Sequence, residues 1–215
     1  MDDGKTLRKA CFCFFRQGMK LLEPIGGLYT DLMSAAKEGG KGMEYWDLYD
    51  SERKPLNRVH KRGEAFSEGE YYVCSEVWVR NSRGQFLITK RHPDKKAGNL
   101  WEFTGGGTLA GESTLESAVR ELKEETGIDA SESELRLFAT YRKKNYFQDL
   151  FLLDKDVDIA DIVLKPDETV DVEWAKVGDI LEMIEKGEIV HSVGIRFQMY
   201  RELVSGDGNA QSGIQ

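Results

Sequence analysis

The chain reads as an α/β domain, a sandwich of helices around a mixed β-sheet, and three observations lead there. Aromatic and β-branched runs alternate with turn residues through its middle. A glycine-rich run leads into a strongly amphipathic acidic helix. Two further helical patterns follow the last strand. Interleaving strands and helices in this order favours a sheet covered by helices.

Each element can be justified in turn. Tyr45 to Tyr49 reads as a strand, with a turn over 51–55. Tyr71 to Val79 is rich in aromatic and β-branched residues, Asn81-Ser-Arg-Gly84 is a turn, and Gln85 to Lys90 returns, which predicts a hairpin. Residues 101–103 precede the glycine turn, where Trp101 and Phe103 either pack beneath it or stack on a base. A helix follows, capped by Ser113 or Thr114 with Glu116 in its first turn. Leu115, Val119 and Leu122 recur at helical spacing and predict its buried stripe. Gly127 ends it, where a left-handed residue is cheap. Residues 135–141 and 146–153 predict paired strands and 169–174 another, before helices over 177–185 and 193–203. A small, polar tail from 205 to 215 predicts disorder.

The bulk composition narrows the partners. The 215 residues suit one domain with some excess, placed at 43–204. A net charge of −8 argues against nucleic acid and membrane surfaces as partners. No apolar run approaches the ~20 residues that span a bilayer. Three cysteines form no disulfide framework, so a cytoplasmic location is expected.

Residues 1–42 carry no clear strand alternation and end in Glu38-Gly-Gly-Lys-Gly42 before Met43. Those codons can form an unbroken purine run resembling a bacterial ribosome-binding site. Two expectations stand side by side: an N-terminal extension, or an upstream misreading with translation starting at Met43.

The chemistry concentrates in residues 106–128. Glu121, Glu124 and Glu125 stand three and four apart, so they share one side of a helix. Ionised carboxylates so close repel one another unless a cation sits among them. Oxygen ligands favour Mg²⁺ or Mn²⁺, which bridges readily to substrate phosphates. Glycines 105–107 would let the backbone approach a ligand closely.

The spacing Gly-x5-Glu-x7-Arg-Glu-hydrophobic-x-Glu-Glu-x-Gly-hydrophobic resembles the signature of the Nudix hydrolases. Gly106, Glu112, Arg120, Glu121, Leu122, Glu124, Glu125, Gly127 and Ile128 fill every fixed position. The resemblance implies the α/β/α sandwich. It also implies metal-dependent hydrolysis of a nucleoside diphosphate linked to another moiety, by water attack on phosphorus. It implies Glu121, Glu124, Glu125 and the Gly106 carbonyl as metal ligands, with Glu121 alternatively the general base. Arg120 would orient a box glutamate by a bidentate pair.

The segment from Tyr45 to Val79, with Arg58, His60, Lys61 and Arg62, resembles the isopentenyl diphosphate isomerase branch of that family. That isomerase has a cysteine immediately before the box, where this chain has Gly105. His60 and His92 are expected in loops. The alternatives to hydrolysis are an isomerase-like enzyme and a nucleotide-binding regulatory module without catalysis.

Further candidates lie outside the box. Glu168 or Glu173 would be an extra carboxylate opposite it. Tyr146 would touch substrate or pack at a strand start. Arg142, Lys143 and Lys144 would meet distal phosphates or form a solvated turn, and Lys90, Arg91, Lys95 and Lys96 allow the same two readings. The expected partner is a nucleotide-type small molecule, and a homodimer through the N-terminal strand region is an expectation.

Overall fold

The computed structural model describes residues 44–206. The proposed start at Met43, the segment before it and residues 207–215 lie outside the described residues. The described chain forms two compact units, one of residues 44–77, 105–123 and 129–153, the other of residues 78–104, 124–128 and 154–206.

In the first unit β1 (Tyr45–Tyr49) and β2 (Pro55–Lys61) pair antiparallel, with Trp46 opposite His60. Their turn is fixed by Asp50, whose carboxylate accepts the backbone N–H of Glu52 (2.8 Å) and Lys54 (2.9 Å). Arg53, at φ +63°, closes it and forks onto the buried Asp149 at 2.7 and 2.5 Å. Thr140 Oγ1 donates to the same carboxylate at 2.8 Å, so the hairpin tip is tied to the next strand pair by a satisfied buried anion.

That pair is β7 (Leu135–Arg142) and β8 (Tyr146–Asp154), antiparallel. β8 lies between β7 and β3 (Tyr72–Arg80) and is buried from Phe147 to Leu153, as a strand covered on both faces should be. β6 (Thr104–Gly107) also pairs with β3.

The second unit turns the end of β3 into β4 (Phe86–Arg91). Asn81 Oδ1 accepts from the N–H of Arg83 and Gln85, both at 3.0 Å, and Gly84 takes φ +74°. β4 pairs antiparallel with β5 (Trp101–Glu102) and with β9 (Thr169–Ala175). α2 (Val177–Lys186) ends on left-handed Gly187 at φ +71°, and α3 spans His191–Gly206. The core of this unit is aromatic: Trp78 stacks on Phe103 at 4.4 Å, and Phe86 meets Phe197 edge-on at 5.7 Å. Between the glycine run and β7, α1 (Thr114–Thr126) carries the acidic pattern.

Several expectations are corrected. β2 is a strand that its polar sequence conceals, and His60 lies in it rather than in a loop. The glycine run is strand as far as Gly107, not turn, because it pairs with β3. Of the expected helix stripe only Leu122 is fully buried, while Leu115 and Val119 are half-buried. The buried face of α1 runs instead through Ser117, Ala118, Leu122, Glu125 and Thr126. α3 continues to Gly206, past the expected start of the tail. Among the described residues no helix is long and apolar enough to cross a membrane.

Candidate active site

The run from β6 into α1 is built around close approaches. A Cβ on Gly105 would collide with the Ser75 backbone, and one on Gly106 with the Glu121 carboxylate. One on Gly107 would lie 2.6 Å from Trp46 Nε1. The glycines therefore admit the protein's own atoms: a neighbouring strand, a box carboxylate and an indole. Gly111 turns the chain at φ +81° and donates its N–H to Asp47 at 2.8 Å. The helix then starts on a capping box, with Ser113 Oγ accepting from Glu116 N–H (3.1 Å) and Glu116 accepting from Ser113 N–H (2.7 Å).

Arg120 organises the helix side of this run. Its guanidinium grips Glu112 through two bonds, at 2.8 and 3.0 Å, and donates to Glu121 Oε1 at 2.8 Å and to the Gly107 carbonyl at 3.2 Å. Burial alone would lower the Arg120 pKa, but the bond to Glu112 and the two carboxylate charges outweigh it and push it up. The expected bidentate pair exists, and its partner is Glu112. A planar fork that spans two carboxylates and a carbonyl fixes the path from Gly107 to Glu121 as one unit.

The other two box carboxylates differ sharply. Glu125 is buried. Glu124 is exposed and takes Lys165 Nζ at 3.4 Å. Lys165 also pairs with Glu168 at 2.8 Å, and Glu168 takes Lys95 at 2.7 Å. Burial works to raise the Glu168 pKa, yet hydrogen bonds from Lys165 and Lys95 overcome it and hold it at about 2. Glu168 is thus joined to the box glutamate Glu124 through a shared lysine. Among the described residues Glu173 carries no such cation pair; burial and the charge of Asp171 raise its pKa. Sequence reasoning missed Lys165, whose only signal is its position three residues before Glu168.

The remaining candidates are placed as follows. Tyr146 opens β8 with its ring 5.6 Å from Tyr72, so packing is what it visibly does. Lys143 sits in the β7–β8 turn, its N–H on the Tyr146 carbonyl (2.9 Å) and its ammonium 5.5 Å from the Tyr141 ring. Arg91 is held by Glu102 at 2.6 Å, and Trp101 is buried with Lys90 Nζ 5.4 Å from its ring centre. Phe103 belongs to the Trp78 stack. His92 follows β4, its N–H on the Glu168 carbonyl at 2.9 Å. The lysines and arginines set aside for phosphates are mostly committed to protein partners.

The donor set on α1 is oxygen throughout, which suits a hard divalent cation. Gly106 provides the cradle in which Glu121 rests. Among the described residues no three His, Cys, Asp or Glu side chains already converge as a ligand set. Glu121 and Glu124 instead accept from Arg120 and Lys165. The oxygen donors are of the kind a divalent metal takes.

The chain is similar to known proteins over much of its length. Residues 73–193 match the NUDIX domain. An uncharacterized Nudix hydrolase of Listeria innocua is 33% identical over 150 residues, covering 69% of this chain and 89% of its own. One from Clostridium acetobutylicum is 27% identical over 184 residues, covering 76% and 89%. In fold, the chain resembles the crystal structure of DR0079 from Deinococcus radiodurans, with TM-score 0.62 at 22% identity, covering 73% of this chain and 98% of that one.

Proposed function

We propose, from the premise that this chain belongs to the Nudix hydrolase family, that it is a Mg²⁺-dependent hydrolase of a phosphoanhydride bond in a nucleoside diphosphate linked to another moiety. The observation that carries the reading is the Arg120 fork, which holds Glu112, Glu121 and the Gly107 carbonyl together while Gly106 makes room for the Glu121 carboxylate.

Glu121, Glu124 and Glu125 of α1, with the Gly106 carbonyl, would hold the ion. Bound there, it would neutralise phosphoryl oxygens and acidify the attacking water. Arg120 is a positioning residue: it sets Glu121 without meeting the substrate. Glu121 either ligates or takes the proton from water, and it must reach that water to do so. Glu168 is the extra carboxylate of this reading, tied through Lys165 to Glu124. Glu124, as a ligand, would give up its bond to Lys165, and Lys165 would keep its pair with Glu168. Tyr146 and Lys143 stand at the edge of the substrate region in the same reading.

An isomerase-like activity fits less well. It would need a thiol at position 105, and any side chain there would strike the Ser75 backbone. Turnover of nucleotide sugars, ADP-ribose, NADH, dinucleoside polyphosphates, nucleoside triphosphates and isopentenyl diphosphate, with and without Mg²⁺, tests the reading. Hydrolysis of at least one nucleotide derivative that needs Mg²⁺ is expected; isomerisation of isopentenyl diphosphate alone would overturn it.

A further inference from the structure

The β1–β2 hairpin carries a feature that the box chemistry does not use. Trp46 and Tyr72 stack with ring centres 4.4 Å apart and planes 11° from parallel. Phe66 stacks on Tyr72 at 5.0 Å and 16°, and His60 on Phe66 at 3.9 Å and 18°. This is a wall of nearly parallel rings. It abuts the catalytic run directly, because Trp46 Nε1 lies against Gly107.

Within this wall and beside it, three buried side-chain atoms find no hydrogen-bond partner among the described residues: Trp46 Nε1, His60 Nε2 and Thr108 Oγ1. His60 and Thr108 are each only 6% exposed. Thr108 directly follows the glycine run whose last residue the indole touches. Buried polar atoms are ordinarily satisfied, and leaving three unmet in one small region is costly. They call for a partner that the described residues do not supply.

The chemistry of the three atoms selects that partner. An indole N–H only donates, a hydroxyl donates or accepts, and an imidazole nitrogen does one or the other according to tautomer. The nearby Arg62 is paired with Glu44 at 2.7 Å, so the wall offers hydrogen bonds in an aromatic setting rather than a counter-charge. Phosphate would want charge. A neutral heteroaromatic ring wants flat faces and a few edge contacts.

We propose that the β1–β2 hairpin, with the residue after the glycine run, is the specificity element of this enzyme: Trp46 and His60 of the hairpin and Thr108 recognise the nucleobase of the substrate. The proposal rests on reading the box as a nucleoside diphosphate hydrolase. It assigns selectivity for the base to an element outside the box helix.

The test separates this proposal from that reading. Titration calorimetry in EDTA compares the four nucleoside monophosphates with ribose 5-phosphate, which lacks only the base, on wild type, Trp46→Phe and Thr108→Val. At least one nucleotide is expected to bind wild type more tightly than ribose 5-phosphate. Each variant should lose about fivefold or more of that preference, and Thr108→Val, which keeps shape and removes one hydrogen-bonding group, should also keep its melting temperature. In turnover, the same variants should raise KM for the preferred substrate and leave kcat within about twofold, as loss of uniform binding does. No preference for nucleotide over ribose phosphate, or a preference unchanged in both folded variants, would overturn the proposal. Base-indifferent hydrolysis that still needs Mg²⁺ would sink the hairpin proposal and leave the hydrolase reading standing. Base binding that depends on Trp46 and Thr108 without any hydrolysis would do the reverse.

Discussion

Two clusters of opposite charge serve the box glutamates, and they are built differently. Around Arg120, one planar guanidinium spans Glu112, Glu121 and a backbone carbonyl, with both carboxylates mostly shielded from solvent. Around Glu168, two lysine ammoniums share the work, and Lys165 divides itself between Glu168 and the exposed Glu124. A guanidinium fork fixes directions, whereas an ammonium on a long stem gives charge without geometry. The first cluster is suited to hold a carboxylate still. The second is suited to exchange partners.

The comparison can be broken most forcefully at the carboxylates themselves. Glu124→Gln is expected to lower kcat by about a thousandfold, a loss of roughly 4 kcal/mol of transition-state stabilisation. Its melting temperature should change little, because its ion pair with Lys165 is exposed. Steady-state kinetics beside a thermal melt checks both halves.

Arg120→Lys comes next. A lysine cannot span Glu112, Glu121 and Gly107 together, so roughly 2 kcal/mol of stability and about a hundredfold in kcat should go, with KM nearly unmoved. Equal loss from Lys165→Arg would contradict the distinction between the clusters. That variant should cost only about twofold, since charge is all its position needs.

Gly105→Ala probes the close approach of strands. Its methyl would meet the Ser75 backbone, which cannot yield as a side chain would, so destabilisation of about 1–3 kcal/mol is expected in denaturant unfolding.

The smallest effect is in pH. The Glu168 pKa is held at about 2, below its ordinary 4.5. Its pairing therefore stabilises the fold fully above about pH 4.5 and is lost as the pH falls toward 2. Wild type should melt higher than Glu168→Gln at pH 7, and the gap should close between pH 4.5 and 2. A gap that widens on acidification would reverse the assigned sign.

The box was legible in sequence because helical spacing and capping are local. Ser113 with Glu116, left-handed Gly127 and the single arginine among glutamates all announce themselves without tertiary structure. What escaped depends on partners distant in sequence. β2 hides because its residues are polar and its pairing comes from β1. The buried face of α1 follows its neighbours, so Ser117 and Glu125 are covered while Leu115 and Val119 are only partly so. The glycines were expected to admit a ligand; they admit Ser75, Glu121 and Trp46. Lys165 lies 41 residues beyond Glu124, and no periodicity links them.

Protein stripped with EDTA is assayed on its best nucleotide substrate while Mg²⁺ is added back, beside Glu121→Gln. Turnover should be absent without metal, saturate as Mg²⁺ rises, and stay at least a hundredfold lower in the variant at every concentration, on the order expected for losing a ligand or base. Turnover that persists in EDTA, or a folded Glu121→Gln that titrates like wild type, would contradict the assignment of this helix as the metal-binding hydrolytic centre.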